Sequence, residues 1–142
     1  MLEHLTEQEK AYIAGIIDGE GSIQIYQSST GHFLCRVCIY NTSKPLFAWL
    51  ESKLLRAFYS TEDTHEEHKD WSWMMFSGKR AKELIETVRP YMIVKALQAD
   101  VLLDFPMTKN GVRKLTAEEE LQQAIDYIRL KDLNKTGRRK EE

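Results

Sequence analysis

The stretch Ile13 to Gly21, Ile-Ala-Gly-Ile-Ile-Asp-Gly-Glu-Gly, constrains this chain more than any other, because an almost wholly apolar helix runs directly into two acids set between glycines. Thr6 with Glu9 forms the capping-box pattern that starts a helix, and from Ala11 to Ile17 no strongly polar side chain occurs on any face. A helix of that kind is predicted to be buried all round. Ala11, Gly15 and Gly19 recur every four residues, so one stripe carries almost no side chain and admits a second backbone at close range. Asp18 and Glu20 then stand at the carboxyl end, where the helix dipole disfavours negative charge by roughly 0.3–1 kcal/mol each. Acids kept in such a position are expected to have a task, such as holding a metal ion.

Downstream, Ile23 and Ile25 alternate with Gln24, Tyr26 and Ser28, and Phe33, Cys35, Val37 and Ile39 alternate with Leu34, Arg36, Cys38 and Tyr40. The polar turn from Ser28 to His32 joins these runs into a hairpin with one apolar face and one mixed polar and aromatic face. Ser43 caps a helix with Pro45 in its first turn, whose buried stripe is Leu46, Phe47, Leu50, Leu54 and Phe58. A second hairpin is predicted over Tyr59 to Ser77, with the acidic segment from Glu62 to Asp70 as strand end and loop. Its return strand has both alternating sets bulky, so its facing stays open; Trp71 and Trp73 read as sheet or core packing rather than base-stacking platforms. A third helix covers Lys79 to Val88, with Leu84, Ile85 and Val88 inward. A fourth runs from Pro90 through Phe105, where Pro106 stops it. Asn110-Gly111 makes a turn, and Thr116 with Glu119 caps a last helix patterned by Leu121, Ala124, Ile125 and Ile128. The charged residues 131–142 are predicted to be a frayed tail, leaving 1–130 as one domain. The order is α+β, an antiparallel sheet covered by helices on one face.

No apolar run approaches the roughly 20 residues that span a bilayer, and the acidic start lacks a signal-peptide pattern, so an intracellular protein is expected. A net charge of −2 counts against nucleic-acid binding, which relies on Lys and Arg. Its distribution softens the objection: Glu62 to Asp70 carries −4, and Glu118, Glu119, Glu120 and Asp126 another −4, so the rest of the chain carries +6. Binding follows the local field rather than the total. Cys35 and Cys38, with His65 and His68, raise the question of a zinc site. The cysteines lie on a strand, however, where residues three apart point to opposite faces, and free thiols in a reducing compartment are the expectation.

Ile13 to Gly21 resembles the signature of the LAGLIDADG homing endonucleases, with Ile for Leu at the first and fourth positions, Gly at the seventh and Glu for the second Asp. The resemblance covers about Thr6 to Phe105 and implies that family's αββαββα fold, with a four-stranded antiparallel, saddle-shaped sheet. It implies a metal-dependent, site-specific double-strand DNA endonuclease, with Mg2+ as cofactor. Because one motif is present, it implies a homodimer in which the signature helices pair through Ala11, Gly15 and Gly19, an isologous contact. Glu20 then takes the position of the catalytic acid, and Gly19 offers a backbone carbonyl to the same metal. Asp18 is expected to cap or pair at the partner helix's end. Asn41 stands near where the family places a polar residue that orders water; Ser43 competes for that role, and a turn-forming Asn before a helix cap is the plainer alternative. Lys95 matches the basic residue near the scissile phosphate, against a solvated helix lysine.

Ser22, Gln24, Tyr26, Ser28, Arg36 and Tyr40 are the outward side chains expected to meet double-stranded DNA in the major groove, with His32 adding contacts and Lys44 neutralising phosphate. Lys79, Arg80 and the cluster from Lys135 to Lys140 have the same phosphate potential. Two other readings share the fold: an RNA maturase assisting intron splicing, and a catalytically inactive DNA-binding regulator.

Overall fold

The computed structural model describes residues 2–61, 70–107 and 114–139. Helix α1 spans Glu7–Glu20 and starts in the expected capping box, with the Thr6 hydroxyl accepting the Glu9 N–H and the Glu9 carboxylate accepting the Thr6 N–H. It leads directly into β1 (Gly21–Gln27), which turns into β2 (Phe33–Asn41). Helix α2 (Lys44–Leu54) is capped by Ser43, carries Pro45 in its first turn, and ends in a left-handed Leu55. Phe58 therefore lies beyond the helix and packs on Phe47, ring centroids 5.5 Å apart. Strands β3 (Tyr59–Ser60) and β4 (Ser72–Ser77) form the second hairpin, whose connection falls outside the described residues together with His65 and His68.

Helix α3 spans Lys79–Val88 as expected, with Ala81, Leu84, Ile85 and Val88 buried. The fourth helix differs from its sequence expectation. Arg89–Tyr91 form a single 3₁₀ turn, a short link follows that starts extended at Met92 and turns at Val94 and Lys95, and α4 covers only Ala96–Asp104. The capping box of Thr116 with Glu119 starts α5, Ala117–Arg139. Residues 131–139, expected to fray, instead continue this helix.

The sheet order is β1-β2-β4-β3, antiparallel throughout. Its inner face, Ile23, Ile25, Cys35, Val37, Ile39, Met74 and Phe76, packs under Ile13, Ile17, Phe47, Leu50, Ile85 and Leu102. The fold is thus the α+β arrangement read from the alternation, with five α-helices among the described residues. No helix among the described residues is long and apolar enough to cross a membrane.

Helix α5 is turned opposite to its apolar pattern. Leu121 and Ile128 are 63% and 59% exposed, and Ile125 is also exposed, whereas Gln123, Asp126 and Leu130 are buried. The reason lies in what α5 covers. Gln123 Nε2 donates to the Pro106 carbonyl at 2.7 Å, and Asn134 Nδ2 donates to the Ile23 carbonyl on the β1 edge at 3.1 Å. An uncovered strand edge leaves backbone groups without partners, and polar side chains supply them.

Candidate functional site

The end of α1 is shaped by Gly21, where a Cβ would lie 2.9 Å from both the Ile17 Cα and its carbonyl oxygen. Helix and strand therefore meet closer than any side chain permits. The carboxylate of Asp18 accepts the backbone N–H groups of Ile93 (2.8 Å) and Lys95 (3.0 Å), across more than seventy residues of chain. Both bonds lie within the chain, whereas the sequence pointed Asp18 toward the end of a partner helix. Lys95 answers from the other side: its ammonium donates to the Asp18 carbonyl (2.5 Å) and the Ile17 carbonyl (3.3 Å). A cation thus sits on the negative end of α1, where it offsets both the dipole and the acids. Burial pushes the Lys95 ammonium below its ordinary pKa, against the pull of Asp18 and Glu20. It is therefore no solvated surface lysine.

Glu20 is exposed, and its carboxylate makes no hydrogen bond among the described residues. With both Asp18 carboxylate oxygens accepting backbone N–H groups, Glu20 is the signature acid left open to solvent. Among the described residues no group of three or more His, Cys, Asp or Glu is placed to hold a metal ion. Gly21 pairs with Ile39, so Tyr40 and Asn41 lie just beyond that pair, at the same end of the sheet as Glu20. Asn41 Oδ1 accepts the Ser43 N–H at 2.8 Å, the turn before a helix cap, and Ser43 Oγ accepts the Leu46 N–H.

The outer face of the sheet is ordered in rows. Gln24, Arg36 and Ser77 lie side by side, then Ser22, Cys38 and Met75, then Tyr40, Trp73 and Tyr59. Arg36 lies 4.7 Å over the Tyr26 ring and donates to Gln24 Oε1 at 3.0 Å. The Ser22 hydroxyl is enclosed without a partner. Ser28 belongs to the turn, its hydroxyl accepting the His32 N–H, with His32 exposed at the hairpin tip. Lys44 is 4.0 Å from Asp70 at the margin.

Trp71 and Trp73 face outward, where sequence left them as sheet or core packing. Trp71 lies 4.9 Å from Trp73 and 5.8 Å from Tyr40, and Trp73 lies 5.5 Å from Tyr59. The result is a partly exposed aromatic row that only strand pairing brings together. Cys35 and Cys38 are both free, on opposite faces of β2; the Cys35 thiol donates to the Gly78 carbonyl.

The stripe of Ala11, Gly15 and Gly19 is exposed, and a Cβ at Gly15 or Gly19 would meet nothing within 4 Å. Helix α1 is therefore not buried all round by its own chain. Beside its end, Ile93 and Val94 are 83% and 72% exposed, held there by the Asp18 bonds, and Leu97 is also exposed. Sequence reading missed these three because apolar residues near a helix start read as core.

Among solved structures, the homing endonuclease I-CvuI in complex with its target, in the presence of 2 mM Ca, has a TM-score of 0.68 to this chain at 18% identity, over 89% of this chain and 82% of that one. I-CvuI also appears in complex with the I-CreI target in 2 mM Mg, at a TM-score of 0.55 and 15% identity, over 90% and 96% of the two chains. The archaeal intron-encoded homing endonuclease I-Vdi141I complexed with DNA has a TM-score of 0.61 at 16% identity, over 89% and 84%. For the meganuclease I-SmaMI bound to uncleavable DNA the TM-score is again 0.61 at 16% identity, over 83% of this chain but 43% of that one. No family model and no curated protein matches the chain. The geometry of sheet and helices is that of the LAGLIDADG homing endonuclease fold.

Proposed function

We propose that this chain is a homing-type endonuclease that acts as a homodimer on double-stranded DNA, cutting a long, roughly palindromic target with magnesium. The observation that carries the reading is the contrast between the two signature acids: Asp18 is engaged by the backbone of Ile93 and Lys95, whereas Glu20 stands exposed near the half-buried Lys95 ammonium. Magnesium favours one or two carboxylates completed by waters and phosphate oxygens. One Glu20 with one Gly19 carbonyl fits that requirement as half of a shared site, and a twofold mate supplies the other half. The open space at Gly15 and Gly19 and the exposed Ile93, Val94 and Leu97 support such a mate. The DNA complexes formed by similar folds support the duplex as partner.

When bound, the metal supplies charge stabilisation at the phosphate and a more acidic water. Glu20 and the Gly19 carbonyl hold it. Lys95, with one N–H left after its two carbonyl bonds, neutralises charge developing on the phosphate. Asn41 positions water through its Nδ2, its oxygen being taken by Ser43. Gln24, Tyr26, Arg36 and Tyr40 face base edges, while Lys44, Lys131 and Lys135 stand at the margins for the backbone phosphates. The biological role is to spread the mobile element that encodes it.

Incubating the protein with a supercoiled plasmid library of randomised targets, with magnesium or with EDTA, tests this. Linear product that needs magnesium and is lost in Glu20→Gln supports the endonuclease. Tight duplex binding without scission points to a regulator, and preference for structured intron RNA to a maturase; either outcome rejects it.

A further inference from the structure

Among the described residues, Arg36 is the only charged one in the four strands. It is fixed on two sides, by the Tyr26 ring 4.7 Å from its Cζ and by Gln24 Oε1 at 3.0 Å from Nη2. Its Nε is enclosed without a partner. A guanidinium carries five N–H donors. Gln24 takes one and the Nε–H is shut in, so three remain on the two terminal nitrogens. Arg36 lines an open cleft of about 330 Å³ between β1 and α5, with Gln24, Tyr26, Lys131 and Asn134.

Two adjacent N–H groups in one plane match two adjacent acceptors. In the major groove guanine alone presents such a pair, O6 and N7; adenine sets an acceptor beside a donor, thymine an acceptor beside a methyl, and cytosine a donor. A phosphate also accepts two such bonds, but the position of Arg36 favours a base. It lies within the sheet, between Gln24 of β1 and Ser77 of β4, whereas Lys131 and Lys135 stand on the rim formed by α5. A duplex laid with its groove over the strands turns base edges to the middle of the sheet and phosphates to its margins. Side chains fixed before binding lose little freedom on contact, which sharpens discrimination. Because the outer face is read above as the duplex-binding surface, we propose that Arg36, braced by Tyr26 and Gln24, is a specificity-determining residue that reads a guanine in each half of the target.

Selection of duplexes from a randomised library in EDTA, followed by affinity measurements across a salt series, tests the assignment with the full-length protein. Wild type is expected to prefer guanine at one symmetry-related position per half, by about tenfold or more over the other bases. Arg36→Ala loses that preference while the others persist, and Arg36→Gln shifts it toward adenine. Tyr26→Leu keeps the guanine but lowers the discrimination severalfold. Circular dichroism matched to wild type separates these effects from unfolding. If Arg36→Ala instead weakens all sequences equally and lowers the salt slope by about one, the residue contacts phosphate and the assignment is wrong. It is equally wrong if the selected positions are unchanged. Wild type that retains no duplex at all would remove the proposed function and this assignment with it, a result distinct from sequence-selective binding that ignores Arg36.

Discussion

The Asp18 carboxylate accepts the Lys95 backbone N–H at 3.0 Å, while the Lys95 ammonium donates to the Asp18 carbonyl oxygen at 2.5 Å. Each residue holds the other through both side chain and main chain, which fixes the 92–95 link to the end of α1. In Asp18→Asn one amide oxygen replaces two acceptors and an NH₂ faces a backbone N–H. Stability is expected to fall by about 1.5–3 kcal/mol, read from thermal melting. Lys95→Met is expected to slow plasmid cleavage about 100-fold or more while duplex affinity changes far less. Undiminished cleavage in that variant would assign the lysine to folding alone.

The glycines of the signature separate by what a methyl group would meet. Gly21→Ala places a Cβ 2.9 Å from the Ile17 backbone and is expected to destabilise the fold by about 1–3 kcal/mol. Gly15→Ala meets open space in one subunit, where helix propensity favours alanine by about 0.5–1 kcal/mol. If the stripe packs against a mate, Gly15→Ala raises the stability of the dilute chain yet weakens association. Sedimentation across a concentration series, beside thermal melts, measures the two effects separately.

Acid stability follows Glu9. The Lys53 ammonium, 2.5 Å away, and the Thr6 N–H hold its carboxyl down from 4.5 to about 2. A depressed carboxylate pKa favours folding above the unfolded value, and that contribution disappears as pH falls through the folded one. Glu9→Gln should therefore melt below wild type at pH 6, with the gap shrinking between pH 4.5 and about 2. A gap that does not change with pH would assign the effect to the cap's hydrogen bonds rather than to charge.

The rotation of α5 is open to a paired test. Leu130 is buried, so Leu130→Ala is expected to destabilise by about 2–5 kcal/mol. Ile128 is largely exposed, and Ile128→Ala should stay within about 0.5 kcal/mol of wild type. Denaturant melts showing the reverse order would mean that the helix is turned the other way.

Trp71 and Trp73 belong to the outer face, whereas Trp49 packs edge-on against Tyr12 at 5.1 Å. Duplex bound on that face should quench tryptophan emission, and the double variant Trp71→Phe with Trp73→Phe should lose most of the change. Full quenching retained in the double variant would place the duplex elsewhere.

Much of the architecture was legible along the chain because it rests on rules of short range. The Thr6 and Thr116 capping boxes, the Ser43 cap and the alternation of the first hairpin each need only a few neighbouring residues. The same holds for the signature that pointed to Glu20, Gly19 and the small-residue stripe. The sequence by itself thus determined the elements, their order and the end of α1 as the place to look for chemistry.

Tertiary structure alone decided the rest, since those features depend on what a distant partner needs. Asp18 bonds residues 93 and 95 because the end of α1 packs there, and Lys95 turns to the helix end because carbonyls and acids meet there. Tyr40, Tyr59, Trp71 and Trp73 form one row because cross-strand pairing aligns three strands. Helix α5 shows its apolar stripe to solvent because the β1 edge and the Pro106 carbonyl need hydrogen-bond donors, and periodicity records which residues are apolar but not what the opposite surface lacks.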